Sequence, residues 1–229
     1  MIIDKIKYIK PNLSIAYAYI RAYLNTRAIG AKFVRPNYAF FEKFQQGDVA
    51  IDVGIGDDPD FSKYLIYNYK MESFGVDPTR KHSCGLQCIE KAISEFHYLP
   101  YALGTEDGCI TFFESNINVS GSVLESHINI VRDPHISYSV QMVTLNTLLK
   151  IVNKEYIAIM KIDIEGYEYE LIDHLDGENL KSISQLIIEF HHGTVKKYAF
   201  KDTLRAIKKI ESFGMKSMLY NGRDCLFYW

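Results

Sequence analysis

The chain has 229 residues, a formal net charge of −2 and 48% apolar residues, enough to bury one substantial core, so a single domain is expected. Near-neutral charge provides no basic field to gather a nucleic-acid backbone, which argues against general DNA or RNA binding and for a small-molecule partner. The four cysteines, Cys84, Cys88, Cys109 and Cys225, form no CxxC pair, fit a reducing compartment and read as buried thiols.

In chain order, the opening Met1-Ile2-Ile3-Asp4-Lys5 has none of the parts of a signal peptide, so a cytoplasmic location is expected. Residues 12–25 carry apolar side chains at helical spacing, and Arg21 with the short length excludes an ordinary membrane span. A helix packed on the domain is expected there. Peripheral contact with the inner face of a membrane, or with a second copy in a homo-oligomer, is the alternative for a surface that also carries Arg27, Lys32 and Arg35.

From about residue 48, short β-rich runs alternate with helical spacing. Residues 48–53, 72–76 and 98–103 read as strands, with helices over 60–66 and 85–96. His82, Cys84 and Cys88 could be imagined as a metal cluster, but two cysteines four apart on an expected helix read as structural rather than as zinc ligands. Residues 108–114, which follow the turn-forming Glu106-Asp107-Gly108, read as part of a hairpin. The polar stretch 115–141 reads as a closing loop or acceptor wall in which Ser120, Ser122, His127 and Arg132 are ordinary surface groups or hydroxyl and phosphate binders. Residues 156–164 are almost wholly apolar, as a strand covered on both faces should be. A helix over 167–175, a strand over 185–190, a helix over 201–213 and strands near 215–220 and 225–229 complete the pattern, an α/β alternation that argues for a parallel sheet with helices on both faces.

In such sheets a ligand sits beyond the carboxyl ends of the strands, near the point where strand order reverses. The first strand ends Asp52-Val53-Gly54-Ile55-Gly56, where glycines allow a tight turn and a close approach of backbone to ligand. Asp77 ends the second strand about twenty positions further on, where an acid is placed to accept hydrogen bonds from a ribose. Gly104, just past the third strand, joins these as a candidate cofactor residue. A nicotinamide dinucleotide would lay two phosphates against a loop running Asp57-Asp58-Pro59-Asp60 and would want a third glycine; S-adenosylmethionine (SAM) has no phosphate and carries an ammonium and a sulfonium, which suits the acids. Asp57, Asp58 and Asp60 also suit a helix start for its dipole alone.

The strand over 156–164 ends Lys161-Ile162-Asp163-Ile164-Glu165-Gly166, and two-residue alternation puts Lys161, Asp163 and Glu165 on one side. The strand over 185–190 ends with Glu189, followed by His191 and His192. If the two strands are neighbours, Asp163, Glu165, Glu189 and His191 converge on an acid/base site. His191 or Asp163 is then the candidate general base, and Lys161 and Glu165 orient an acceptor. A single divalent ion held by Asp163, Glu189 and His191 is the less favoured reading. Glu168 and Glu170 read as acids on the exposed face of the next helix, and His82, His97, His127, His135 and His174 as surface or satisfied histidines.

The segment Lys161 to Ile172, KIDIEGYEYELI, resembles the K-[IV]-D-[VI]-E-G-x-E signature of the FkbM family of SAM-dependent methyltransferases, and AIDVG at 50–54, VTLNTLL at 143–149 and IIEFHH at 187–192 support the resemblance over about residues 38–229. Asp58 stands where the family usually closes its first motif with glycine, and Asn146 replaces the usual aspartate after Thr144-Leu145. The resemblance implies a Rossmann-like class I methyltransferase fold: a mostly parallel seven-stranded sheet, helices on both faces and an antiparallel C-terminal strand. Residues 1–45 are expected to form a helical N-terminal extension and 46–229 the SAM-binding catalytic core. It also implies O-methylation of a hydroxyl on a sugar or glycan precursor, free or nucleotide-linked. A nicotinamide-dependent oxidoreductase and a non-catalytic SAM-binding subunit are the competing readings.

Overall fold

The structure is a computed structural model that describes residues 11–34 and 37–229, with side chains from residue 17 onward. The opening residues Met1 to Lys5, and Arg35 of the candidate basic surface, lie outside the described residues.

The N-terminal segment is helix α1 (Pro11–Ala28) followed by a hairpin of β1 (Lys32–Val34) and β2 (Tyr38–Phe40), so the extension is not purely helical. The core then runs β3 (Val49–Val53), α2 (Asp60–Tyr69), β4 (Glu72–Val76), α3 (Arg80–Ala92), β5 (Phe96–Leu99), β6 (Ala102–Gly104), β7 (Gly108–Ser115), β8 (Gly121–Ser122) and α4 (Ile128–Arg132). It continues through β9 (His135–Thr144), α5 (Leu145–Val152), β10 (Ile159–Ile162), α6 (Glu168–His174), α7 (Gly177–Leu180), β11 (Gln185–Glu189), α8 (Phe200–Ser212), β12 (Lys216–Leu219) and β13 (Asp224–Tyr228).

Seven strands form the main sheet in the order β12-β13-β11-β10-β3-β4-β5. The pairs β3–β4, β4–β5, β10–β3 and β10–β11 are parallel, and β13 runs antiparallel to β11 and to β12. Strand order reverses at β3, whose neighbours are β4 and β10, so the ends of these three strands converge on one ligand-binding crevice.

Residue alternation divides the core between the two faces. Ile51, Met160, Leu186 and Ile188 join one apolar cluster with Leu148 of α5, Leu171 of α6 and Ile210 of α8. Ala50, Ile159 and Ile187 join the other with Phe61 and Leu65 of α2, Ala22 of α1 and the hairpin residues Tyr38 and Phe40. The hairpin is tied down where Gln185 accepts from the Phe41 amide at 2.6 Å and donates to its carbonyl at 3.1 Å. Among the described residues no helix is long and apolar enough to cross a membrane.

Several expectations change. The strand expected at 98–103 is two strands, because Pro100 breaks the run, and β6 leaves the main sheet for a four-stranded sheet ordered β6-β9-β7-β8. The hairpin partner of β7 is the distant β9, so much of the presumed loop 115–141 is β8, α4 and β9. Only Cys225 is buried; Cys84 and Cys88 face solvent because α3 turns His82 and Leu86 inward, and Cys109 is exposed on β7.

Candidate active site

A cleft of about 250 Å³ opens over the ends of β3, β4 and β10. Its wall includes Asp52, Gly54, Gly56, Asp77, Lys161, Asp163 and Glu165, so seven of the ten residues singled out from sequence are brought together there. Six carboxylates line the cleft, from Asp52, Asp57, Asp60, Asp77, Asp163 and Glu165, against the one ammonium of Lys161. Asp58 does not line it, because its carboxylate turns outward to Lys63 at 2.5 Å.

Gly54 has φ +78°, and a Cβ there would fall 1.6 Å from the Asp163 carbonyl oxygen. Its glycine character is therefore required by the contact between β3 and the end of β10. Gly56, with φ +61°, meets nothing within 4 Å, and this is the position that leaves ligand space open. Gly104 is covered by Met142, whose sulfur would lie 2.1 Å from an added Cβ, and it is not part of the cleft wall.

The two candidate cofactor acids differ. Asp77 uses one carboxylate oxygen to accept from the Gly56 amide at 2.9 Å and the other to accept from the Thr79 amide at 2.8 Å, so it fixes the glycine loop against the end of β4. Burial raises its pKa despite these donors. Asp52 accepts from the Ser62 hydroxyl at 2.9 Å through Oδ2, while Oδ1 is buried without a hydrogen-bond partner, 3.9 Å from Lys161 Nζ. Its pKa is raised by burial, against the pull of Lys161. An orphaned buried acceptor on the cleft wall calls for a donor from a ligand.

β10 ends at Ile162, so strict alternation does not extend to Glu165, which instead reaches the cleft through a left-handed turn at φ +52° followed by Gly166 at φ +104°. Lys161 Nζ lies 3.2 Å from Asp163 Oδ2; burial opposes its charge, but Asp163, Asp52 and Glu189 outweigh burial and raise its pKa. The parallel pairing of β10 and β11 brings in His191, whose Nε2 lies 3.5 Å from Glu165, 3.6 Å from Asp163 and 3.9 Å from Glu189. His191 and Glu189 stand behind the wall rather than on it. Burial disfavours the imidazolium, yet Glu168, Asp163 and Glu165 push its pKa up to about 10. Glu189 pairs across strands with Asp224, and burial with the charges of Asp163 and Asp224 pushes it up to about 8.

Glu168 is fully buried, not an exposed helix acid. It accepts from the Gly166 amide at 2.9 Å and from the His191 amide at 2.6 Å, and stands 3.1 Å from His191 Nδ1. The one available sequence signal is its place at the end of the E-G-x-E spacing. His127, read from sequence as a surface or satisfied histidine, is also buried, with Nε2 2.9 Å from Glu165 Oε2. The strap over 115–134 that carries it fastens Glu165 twice more: Ser120 Oγ donates to Oε1 and Ser122 Oγ to the backbone carbonyl, each at 3.1 Å. Its place in the polar stretch 115–141 made His127 a candidate hydroxyl or phosphate binder from sequence, but nothing there pointed to Glu165 as its neighbour. Among the described residues, no group of three or more His, Cys, Asp or Glu side chains is arranged to hold a metal ion, Asp163, Glu189 and His191 included.

Residues 16–216 match the family described as the methyltransferase FkbM domain. No curated protein matches the chain. Among solved structures, the fibrillarin pre-rRNA processing protein of Methanococcus jannaschii superposes with a TM-score of 0.50 at 10% identity, over 90% of this chain and 73% of that one. An rRNA methylase from Streptococcus thermophilus gives 0.44 at 12% identity over 81% and 87%, and Aeropyrum pernix fibrillarin in complex with natively bound S-adenosyl-L-methionine gives 0.42 at 9% over 80% and 66%. The likeness is one of fold alone and rests on the first of these.

Proposed function

The chain belongs to the FkbM methyltransferase family, and from that premise we propose that it is a SAM-dependent O-methyltransferase acting on a hydroxyl of a sugar or glycan precursor. The observation that carries this reading is the convergence, on one cleft, of the orphaned Asp52 Oδ1 and the open Gly56 position with Asp163 and Lys161.

The residues fit the cofactor. Asp52 Oδ1 supplies the acceptor that an ammonium needs, Asp77 lies where a ribose would rest, and the six carboxylates suit a ligand of positive charge. They oppose the pyrophosphate of a nicotinamide dinucleotide. When bound, SAM supplies a methyl carbon already activated by its sulfonium, so the chain has mainly to align an acceptor and take up a proton.

Asp163 takes the base role in this account. His191 is held as an imidazolium between Glu168 and the strand-end carboxylates, so it has no lone pair to offer at neutral pH. Asp163 lines the cleft, with Lys161 on one oxygen and His191 near the other. With SAM bound, the acceptor hydroxyl would take the methyl as its bond to sulfur breaks, leaving S-adenosylhomocysteine, and would give its proton to the Asp163 carboxylate, whose orientation Lys161 and His191 fix. Glu165, held by Ser120 and Ser122 with His127 beside it, shapes the same wall.

The test is transfer of labelled methyl from SAM to a sugar panel by the intact chain and by Asp163→Asn. Loss of transfer with SAM affinity retained supports the assignment and separates catalysis from a non-catalytic SAM-binding role; normal turnover by the variant contradicts it.

A further inference from the structure

The balance of charge on the cleft extends the methyl-transfer reading to ligand class. Six acidic residues line the cleft, with the Asp77 carboxylate already engaged by the Gly56 and Thr79 amides and that of Asp60 by the Tyr38 hydroxyl, and the one ammonium there is committed to Asp163 at 3.2 Å and to Asp52 at 3.9 Å. The nearby cations outside the wall are committed as well. Arg80 lies over the Tyr138 ring at 4.1 Å and donates to the Ser139 carbonyl, and Lys81 donates to the carbonyls of Ser115 at 2.5 Å and Asn118 at 2.6 Å. Behind the wall, the charge of His191 is answered by Glu168, with Glu189 and Asp224 adding further acid.

The orphaned Oδ1 of Asp52, buried and on the wall, is an independent sign that the missing ligand brings a hydrogen-bond donor rather than another acceptor. The rest of the wall is apolar or neutral, including Ile55, Phe112, Val119 and Val123, and offers no cation to an anionic group. A phosphate or carboxylate on the acceptor, added to the carboxylate that the methyl donor itself brings, would be stripped of water and left facing like charge.

Resting on the methyl-transfer reading, we propose that the cleft selects ligands by charge: it holds the methyl donor, of net charge +1, more tightly than the net-neutral demethylated product, and it accepts an uncharged hydroxyl compound, the donor's own carboxylate being the one anionic group admitted. A nucleotide or phosphate carried by the acceptor then stays outside, beyond the strap. Loss of the sulfonium charge on transfer weakens product binding, so release follows from the chemistry itself.

The test is calorimetric titration of the full chain with two probes. Sinefungin carries an amine in place of the methylated sulfur and is cationic there; S-adenosylhomocysteine is neutral there. Sinefungin should bind at least tenfold more tightly at low salt, the effect of one excess charge within about 8 Å at an effective dielectric of about 20. The ratio should narrow in high salt and in Asp163→Asn. S-adenosylhomocysteine binding as tightly as sinefungin, or more tightly, overturns charge selection and leaves the methyl-transfer reading standing; binding of neither overturns both. In parallel, labelled SAM is offered with methyl glucoside and methyl glucuronoside. Label in the glucoside alone supports the proposal; label in the glucuronoside, alone or alongside the glucoside, or label in neither, contradicts its acceptor half.

Discussion

Glu168 Oε1 accepts a hydrogen bond from the His191 amide at 2.6 Å and lies 3.1 Å from the ring Nδ1 of the same residue, while Oε2 accepts from the Gly166 amide at 2.9 Å. One buried carboxylate thus joins the turn after β10 to the residue after β11 and keeps the imidazole charged. Glu168→Ala leaves two buried amides and an imidazolium without their partner and should cost about 3–5 kcal/mol. Glu168→Gln should cost less. In both variants the His191 pKa should fall from about 10, which an NMR titration reads directly while denaturant unfolding gives the stability.

The same groups set a pH dependence. His191 is raised from 6.5 to about 10, Glu189 from 4.5 to about 8 and Asp224 from 3.8 to about 6. Each therefore contributes stability that is fully present below its unfolded value and lost as pH rises through its folded one. Glu165 works in the opposite sense: burial would raise it, but His127 and His191 lower it, so its contribution is lost on acidification below the ordinary glutamate range. The melting temperature should be highest near pH 4–5 and fall steadily to pH 10. Glu189→Gln should remove much of the fall between pH 5 and 8; a profile identical to the parent chain contradicts the assignment.

The two glycines of the β3 loop should respond differently. Gly54→Ala drives a Cβ to 1.6 Å from the Asp163 carbonyl and should cost more than about 3 kcal/mol, whereas Gly56→Ala meets open space and pays only for its left-handed backbone, about 1–2 kcal/mol. Gly56→Ala should fold and lose affinity for the cofactor. Thermal unfolding and SAM titration on the pair measure both effects.

His127 sits buried with Nε2 2.9 Å from Glu165 Oε2, a close contact in which neither ring nitrogen meets hydrogen-bond geometry. His127→Ala should accelerate amide hydrogen exchange across 120–123, and His127→Gln, which keeps a donor, should restore part of the protection. Exchange unchanged in both variants means that Ser120 and Ser122 hold the strap without it.

The sheet was legible from sequence because each parallel strand is a short apolar run and each helix between them carries period-3.6 spacing; the crevice followed, since it lies where those strands end. Local contacts escaped for physical reasons. An acid in the first turn of a helix, as Glu168 is, has an ordinary solvent-exposed explanation, and only the approach of β11 buries it. His127 lies in a polar stretch whose partner, Glu165, is distant in sequence. The three-residue strands β1 and β2 are too short to show a period, and Gly104 took its candidacy from a strand that Pro100 divides.

The most direct measurement is titration of the intact chain with SAM, with NAD as the control. Micromolar, saturable binding of SAM and none of NAD is the expected result; saturable NAD binding without SAM binding contradicts the account.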